Sequence, residues 1–140
     1  MIEDAANEIE KIAPDEKTCK EVMEFRLELA VVAKSWDMAA TLGKVLTRAD
    51  PDSVQLWIQY AYAVRRLESV ENAEKILLRA MEIHPEEPMI RFNLACYASV
   101  TGRIAEAKKR LGEAIEINEG MRQLALDDED LKPLWDAITE

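Results

Sequence analysis

The residues with the clearest chemical capacity in this chain are four adjacent carboxylates, Asp127, Asp128, Glu129 and Asp130, one histidine, His84, and two cysteines, Cys19 and Cys96. A carboxylate run can bind a divalent cation, but a calcium loop needs spaced oxygen ligands and a glycine at its sharp turn. This run has neither, and an apolar stretch follows it, so it is expected to cap a helix and to meet the positive end of the helix dipole. His84 stands before Pro85 with no nucleophile or metal ligand close in sequence, which predicts a loop residue. The cysteines have no C-x-x-C spacing and no partner histidines, so reduced thiols are expected. No Gly-rich phosphate loop, G-x-S-x-G elbow or H-E-x-x-H motif occurs, and four glycines leave little from which to build one. The reading is of a protein that is not an enzyme, with no catalytic residues, no metal site and no cofactor.

Composition narrows the partners. There are 28 acidic against 18 basic residues, a formal charge of −10, and the acids are spread along the chain. Without a basic stripe to displace counterions from a phosphate backbone, nucleic acid is excluded as a partner. The opening residues MIEDAANEIEKIAPD carry acids where a signal peptide needs a basic start and an apolar run, and no stretch reaches the ~18 apolar residues of a membrane span. A cytoplasmic protein with no membrane partner is expected. With 140 residues, 49% of them apolar, the chain fits one domain with a sizeable core.

The elements that must carry any site are announced by small residues. The stretch Asn93 to Ile115 holds Ala95, Ala98, Gly102, Ala107 and Ala114. A shift of 34 residues lays Ala61 on Ala95, Ala73 on Ala107, Ala80 on Ala114 and Pro51 on Pro85, and a further shift lays Ala39 on Ala73. A period in this range marks stacked supersecondary units. Between the breaks the apolar residues run at helical spacing, as in Trp57, Tyr60, Ala61 and Val64, then Ala73, Leu77, Ala80 and Met81. Each unit is therefore read as a helical hairpin. Pro51 and Pro85 lie past helix ends, Gly102 suits a left-handed closing residue, and Ser69 suits an N-cap. The alanines allow helix backbones to approach closely where they cross.

The segments WIQYAYAVRRLESVENAEKILLRAMEIHP and RFNLACYASVTGRIAEAKKRLGEAIEINE resemble consecutive tetratricopeptide repeats, with Trp57, Tyr60, Ala61, Ala73, Ala80 and Pro85 in one and Leu94, Ala95, Gly102, Ala107 and Ala114 in the next. Arg91 and Glu119 depart from the pattern in the second. FRLELAVVAKSWDMAATLGKVLTRADP is similar to a degenerate copy that keeps Trp36, Ala39 and Pro51 and puts Arg26 at a core position. Pro14 precedes Pro51 by 37 residues rather than 34, which a longer helix around Thr18 to Ala33 would absorb. The resemblance implies an all-α fold, a right-handed superhelical stack of antiparallel hairpins with terminal capping helices. The parts are a half-repeat or cap over 2–13, a degenerate repeat over 17–52, repeats over 53–86 and 87–119, and a C-terminal cap over 120–140. Leu131, Leu134, Trp135 and Ile138 would form one face of a short amphipathic helix in that cap, and Ile2, Ala5, Ala6 and Ile9 a matching stripe at the other end. Trp36, Trp57 and Trp135 are expected in packing.

On the first helix of each repeat, about 100° per residue leaves a second face beside the buried stripe. The resemblance makes that face the concave groove, which binds extended or helical peptides. It comprises Gln55, Ile58, Gln59, Tyr62 and Arg65 in one repeat and Met89, Phe92, Asn93, Cys96 and Ser99 in the next, with Glu21, Glu24 and Glu28 in the degenerate copy. The carboxylate clamp of tetratricopeptide-repeat co-chaperones is absent, since Glu24, Glu28, Met89 and Asn93 stand where its lysine, asparagine and basic groups would be. The leading reading is a protein-interaction scaffold or adaptor that holds a peptide or helix of a partner protein. Two alternatives stand beside it: a self-associating structural module, a homo-oligomer or a chain whose groove is filled by its own terminus, and a chaperone for a secreted protein. An enzyme or RNA binder of the related helical-hairpin type would need a basic groove that this composition lacks.

Overall fold

The computed structural model describes residues 16–139. The described residues form eight α-helices and one 3-10 helix, with no strand among them. The expected cap over 2–13 lies outside the described residues. The chain divides after Ala73, inside its fourth helix, into two compact units.

The first unit holds α1 (Glu16–Val32), α2 (Trp36–Ala49), α3 (Val54–Leu67) and the first turn of α4 (Val70–Ile83). Helix α1 is long, as the displaced Pro14 implied. It closes on Lys34, in the left-handed region at φ 60°. Lys34 N–H donates to Val31 O and Ser35 N–H to Ala30 O, the paired bonds that satisfy the last carbonyls of a helix. Met23, Leu27 and Ala30 of α1 pack with Met38, Ala39 and Leu42 of α2. Where α2 meets α3 the approach is closer still: a Cβ on Gly43 would lie 2.7 Å from Tyr60 Cβ. Only glycine fits against that tyrosine. Buried Trp57 donates its indole N–H to Pro51 O at 2.8 Å, tying α3 to the turn before it. Ser53 and Ser69 cap α3 and α4, accepting from Leu56 N–H and Asn72 N–H. Lys20 reaches Asp50 at 2.7 Å, and that bond holds its ammonium pKa above the usual lysine value.

The second unit holds the remainder of α4, then α5 (Pro88–Val100), α6 (Ile104–Ile117), α7 (Gly120–Leu126), the 3-10 helix Glu129–Leu134 and α8 (Trp135–Ile138). Pro88 starts α5, where its missing N–H costs nothing, and Glu87 accepts from Met89 N–H. Gly102, at φ 81°, closes the α5–α6 hairpin with the bonds seen at Lys34: Gly102 N–H to Ser99 O and Arg103 N–H to Ala98 O. Lys34 therefore does, two periods earlier, what glycine does here at no steric penalty. Ala95, Ala98, Ala107 and Ala114 are wholly buried, as close helix crossings require. Arg103, at the start of α6, spans Glu74 at 2.5 Å and Glu106 at 2.7 Å, and the Glu74 bond raises its pKa further.

The C-terminal segment differs from the single amphipathic helix expected there. Pro133 falls inside it. Lacking an N–H and crowding the preceding turn, proline favours the tighter 3-10 winding over residues 129–134, and the α-helix begins only at Trp135. Leu131, Leu134 and Ile138 are buried nonetheless, while half-buried Trp135 donates its indole N–H to Ala125 O at 2.9 Å. The short helix α7, which supplies that acceptor, was not foreseen.

Candidate functional site

The groove residues of the first unit lie on α3, on the side away from buried Leu56, Trp57, Ala61 and Val64. Gln55 is exposed, and Ile58, Gln59, Tyr62 and Arg65 are half-buried. Tyr62 is not an isolated anchor. Its ring stacks on Trp36, with centroids 5.4 Å apart and planes inclined by 29°. Arg66 lies 5.3 Å from the Tyr62 ring and 6.0 Å from that of Trp36, and donates to Tyr62 Oη at 3.2 Å. Such a cation over two aromatic faces is attracted by their quadrupoles and holds the tyrosine in one rotamer. The sequence offered one signal for Arg66, its place one helical turn after Tyr62. For Trp36, far away in the chain, it offered none.

The equivalent face of the second unit is covered. Phe92 and Cys96 are 3% and 2% exposed, which corrects the expectation that both stand open to a partner. The 3-10 helix and α7 pack on α5. The Cys96 thiol donates to Asp128 Oδ2 at 3.7 Å, and Phe92 lies one turn earlier on the same helix face. Met89 and Asn93 remain half-buried, and Asn93 donates its side-chain amide to Met89 O at 2.8 Å. Ser99 Oγ, fully buried further along α5, has no hydrogen-bond partner among the described residues. Asp128 and the 3-10 helix after it are thus seated on the helix that the groove expectation reserved for a ligand. The signal was in the chain itself, the stripe of Leu131, Leu134 and Ile138 expected in the C-terminal cap, and a groove filled by the chain's own terminus stood among the alternatives.

The carboxylate run behaves as a cap: Asp128 Oδ1 accepts from Asp130 N–H at 2.9 Å. Cys96, Asp128 and Asp130 could offer a metal three ligand atoms within 4.8 Å of one another. Hydrogen bonds within the chain already engage both Asp128 oxygens. No disulfide joins Cys19 and Cys96. A cavity of about 340 Å³ lies between α6 and the C-terminal segment, floored by Leu111, Gly112, Ile115, Leu134 and Ile138. No described helix is long and apolar enough to cross a membrane.

Residues 54–95 match the tetratricopeptide repeat family. No curated protein sequence matches the chain. Several solved structures share its fold. A MamA structure (MSR-1) is 19% identical with a TM-score of 0.65, over 84% of this chain and 68% of that one. PcrH, solved in complex with the chaperone binding region of PopB, is 18% identical with a TM-score of 0.65, over 89% of this chain and 94% of that one. YrrB, described as a tetratricopeptide-repeat protein with an unusual peptide-binding site, is 17% identical with a TM-score of 0.64, over 98% of this chain and 76% of that one. At these identities the likeness is one of fold. The fold is the all-α tetratricopeptide-repeat fold, and residues 54–95 carry the repeat itself.

Proposed function

We propose that the protein is an interaction scaffold that holds a peptide or helix of a partner protein on the α3 face, without catalysis and in the cytoplasm. Ile58 and the Trp36–Tyr62 pair supply the apolar contact, and Gln55, Gln59 and Arg65 supply polar groups at its border. The observation that carries this reading is that Ile58 and Tyr62 keep part of their surface in solvent while their counterparts Phe92 and Cys96 do not. Met89 and Asn93, on α5 of the second unit, are the half-buried members of the groove face there. PcrH and YrrB, which hold or are described as holding peptide segments, lend the reading support through fold. A chaperone for a secreted protein is its narrower form.

A second reading applies to α5, and a specific observation favours it: the packing of the 3-10 helix there. In that repeat the groove is filled by the chain's own terminus, and Phe92 and Cys96 are its floor. Burial of Leu131, Leu134 and Ile138 contributes about 1.5–3 kcal/mol each, so a competing peptide would have to displace a well-held segment.

Peptides selected on the full chain from a display library test the α3 assignment. Tyr62→Ala is expected to weaken the selected peptides by about 1–3 kcal/mol, as loss of an interface anchor does, with Ile58→Ala in the same direction. Peptides that bind both variants as tightly as the parent would place the surface elsewhere.

A further inference from the structure

The cavity of about 340 Å³ beside α6 is more than twice the roughly 150 Å³ that takes a benzene ring in an apolar core. Arg122 fixes its far side, donating to Ile138 O at 2.8 Å and to Glu119 at 2.7 Å, so bonded segments wall the hollow. Gly112 is the residue that widens it. Glycine is, after proline, the poorest helix former, and Gly112 lies in the interior of α6. At the other mid-helix glycine, Gly43, Tyr60 takes the place of the missing Cβ, 2.7 Å away from it. Around Gly112 nothing lies within 4 Å of that place, and one period earlier the position holds Leu78. No neighbour among the described residues accounts for the absent side chain, and the space points to an occupant from outside them.

The rim sets the chemistry of that occupant. Lys108 and Glu116 line the cavity from the two ends of its α6 floor, about 12 Å apart at about 1.5 Å per residue. Both are exposed, and neither forms an ion pair among the described residues. An aliphatic acid would satisfy Lys108 and leave its chain end against a carboxylate. A peptide carrying both signs satisfies both. Room for two apolar side chains between the charges then separates the peptide conformations. On a helix, an acid, an apolar pair at i+3 and i+4 and a base at i+7 or i+8 share one face and span about 10–12 Å. On a strand, two apolar residues and two flanking charges on one face need about 20 Å, which overshoots the rim. We propose that the hollow receives a helix of a partner protein, two neighbouring apolar side chains entering over Gly112 and an acid and a base seven or eight positions apart meeting Lys108 and Glu116. This surface belongs to the second unit and does not rest on the α3 assignment.

A displayed library of small helical scaffolds with one randomised face, depleted on the Gly112→Leu chain and then selected on the full parent chain, tests this. Depletion removes helices that bind the α3 face, which that variant keeps. Enriched helices are expected to carry the apolar pair between an acid and a base, to bind Gly112→Leu at least about tenfold more weakly and to bind Tyr62→Ala as tightly as the parent. Gly112→Leu replaces a poor helix former at an open place, so its melting temperature should equal or exceed the parent's, and lost binding then reports the filled hollow. Lys108→Glu, a change at an exposed position, should weaken the same helices about three- to tenfold and should regain them when their acid is changed to lysine. No enrichment after depletion would overturn the proposal. So would helices indifferent to Lys108→Glu, helices that lose their binding on Tyr62→Ala, or dodecanoate held more tightly than any selected helix, which would assign the hollow to an aliphatic acid.

Discussion

Helices α3 and α5 are one period apart, so Ile58 corresponds to Phe92, Tyr62 to Cys96 and Arg65 to Ser99. On α3 these positions are half-buried, and Tyr62 leans on Trp36 beneath the Arg66 guanidinium. On α5 they are buried, and Cys96 meets Asp128 of the returning C-terminal segment. A repeat register sets the direction in which a side chain leaves its helix. What lies in that direction is decided by other parts of the chain, and the same register position becomes a solvated surface in one unit and core in the other.

The widest test of that contrast is truncation at the equivalent positions. Phe92→Ala is expected to cost about 3–5 kcal/mol in chemical denaturation, as removal of a buried aromatic does, and Ile58→Ala about 1 kcal/mol or less, in the range of partly exposed sites. Equal losses would break the comparison. The covering segment itself is probed by Leu131→Ala, expected to cost about 2–5 kcal/mol and to speed the reaction of the Cys96 thiol with a disulfide reagent relative to Cys19. A thiol that stays as slow as in the parent would mean that something other than Asp128 and the 3-10 helix shields it. The smallest effect is expected at Ser99→Ala. Its hydroxyl is buried with no partner among the described residues, so the change removes a desolvated polar group and leaves stability unchanged or raised by up to about 1 kcal/mol. A loss larger than that would reveal a hydrogen bond to ordered water at this place.

Individual residues show how far the chain could be read unaided. Ala61, Ala73, Ala80, Ala95, Ala107 and Ala114, picked out by period, are all fully buried. Gly102 does take the left-handed conformation. Gly43 was not picked out, because its role depends on Tyr60 across a helix crossing. One period on, the pair of positions reads Leu77 and Leu94, both buried, so a very small and a very large residue replace two of middle size. That exchange conserves volume, and it is visible only once the two helices are known to touch at those positions. Lys34 was missed for another reason. The closing bonds need a left-handed residue there, and nothing in the lysine side chain advertises one.

The sequence by itself determined the helical hairpins, their period, their small-residue crossings and the places where they turn. Those properties rest on interactions between neighbours in the chain: side-chain volume at i, i+3 and i+4, the missing N–H of proline, the absent Cβ of glycine. Tertiary structure alone decided which helix faces stay in solvent. Trp36 reaches Tyr62 across 26 residues, and Cys96 meets Asp128 across 32. Contacts of that length follow from burying the apolar area of one segment against another, an energy that depends on surface removed from water and carries no periodic signature of its own.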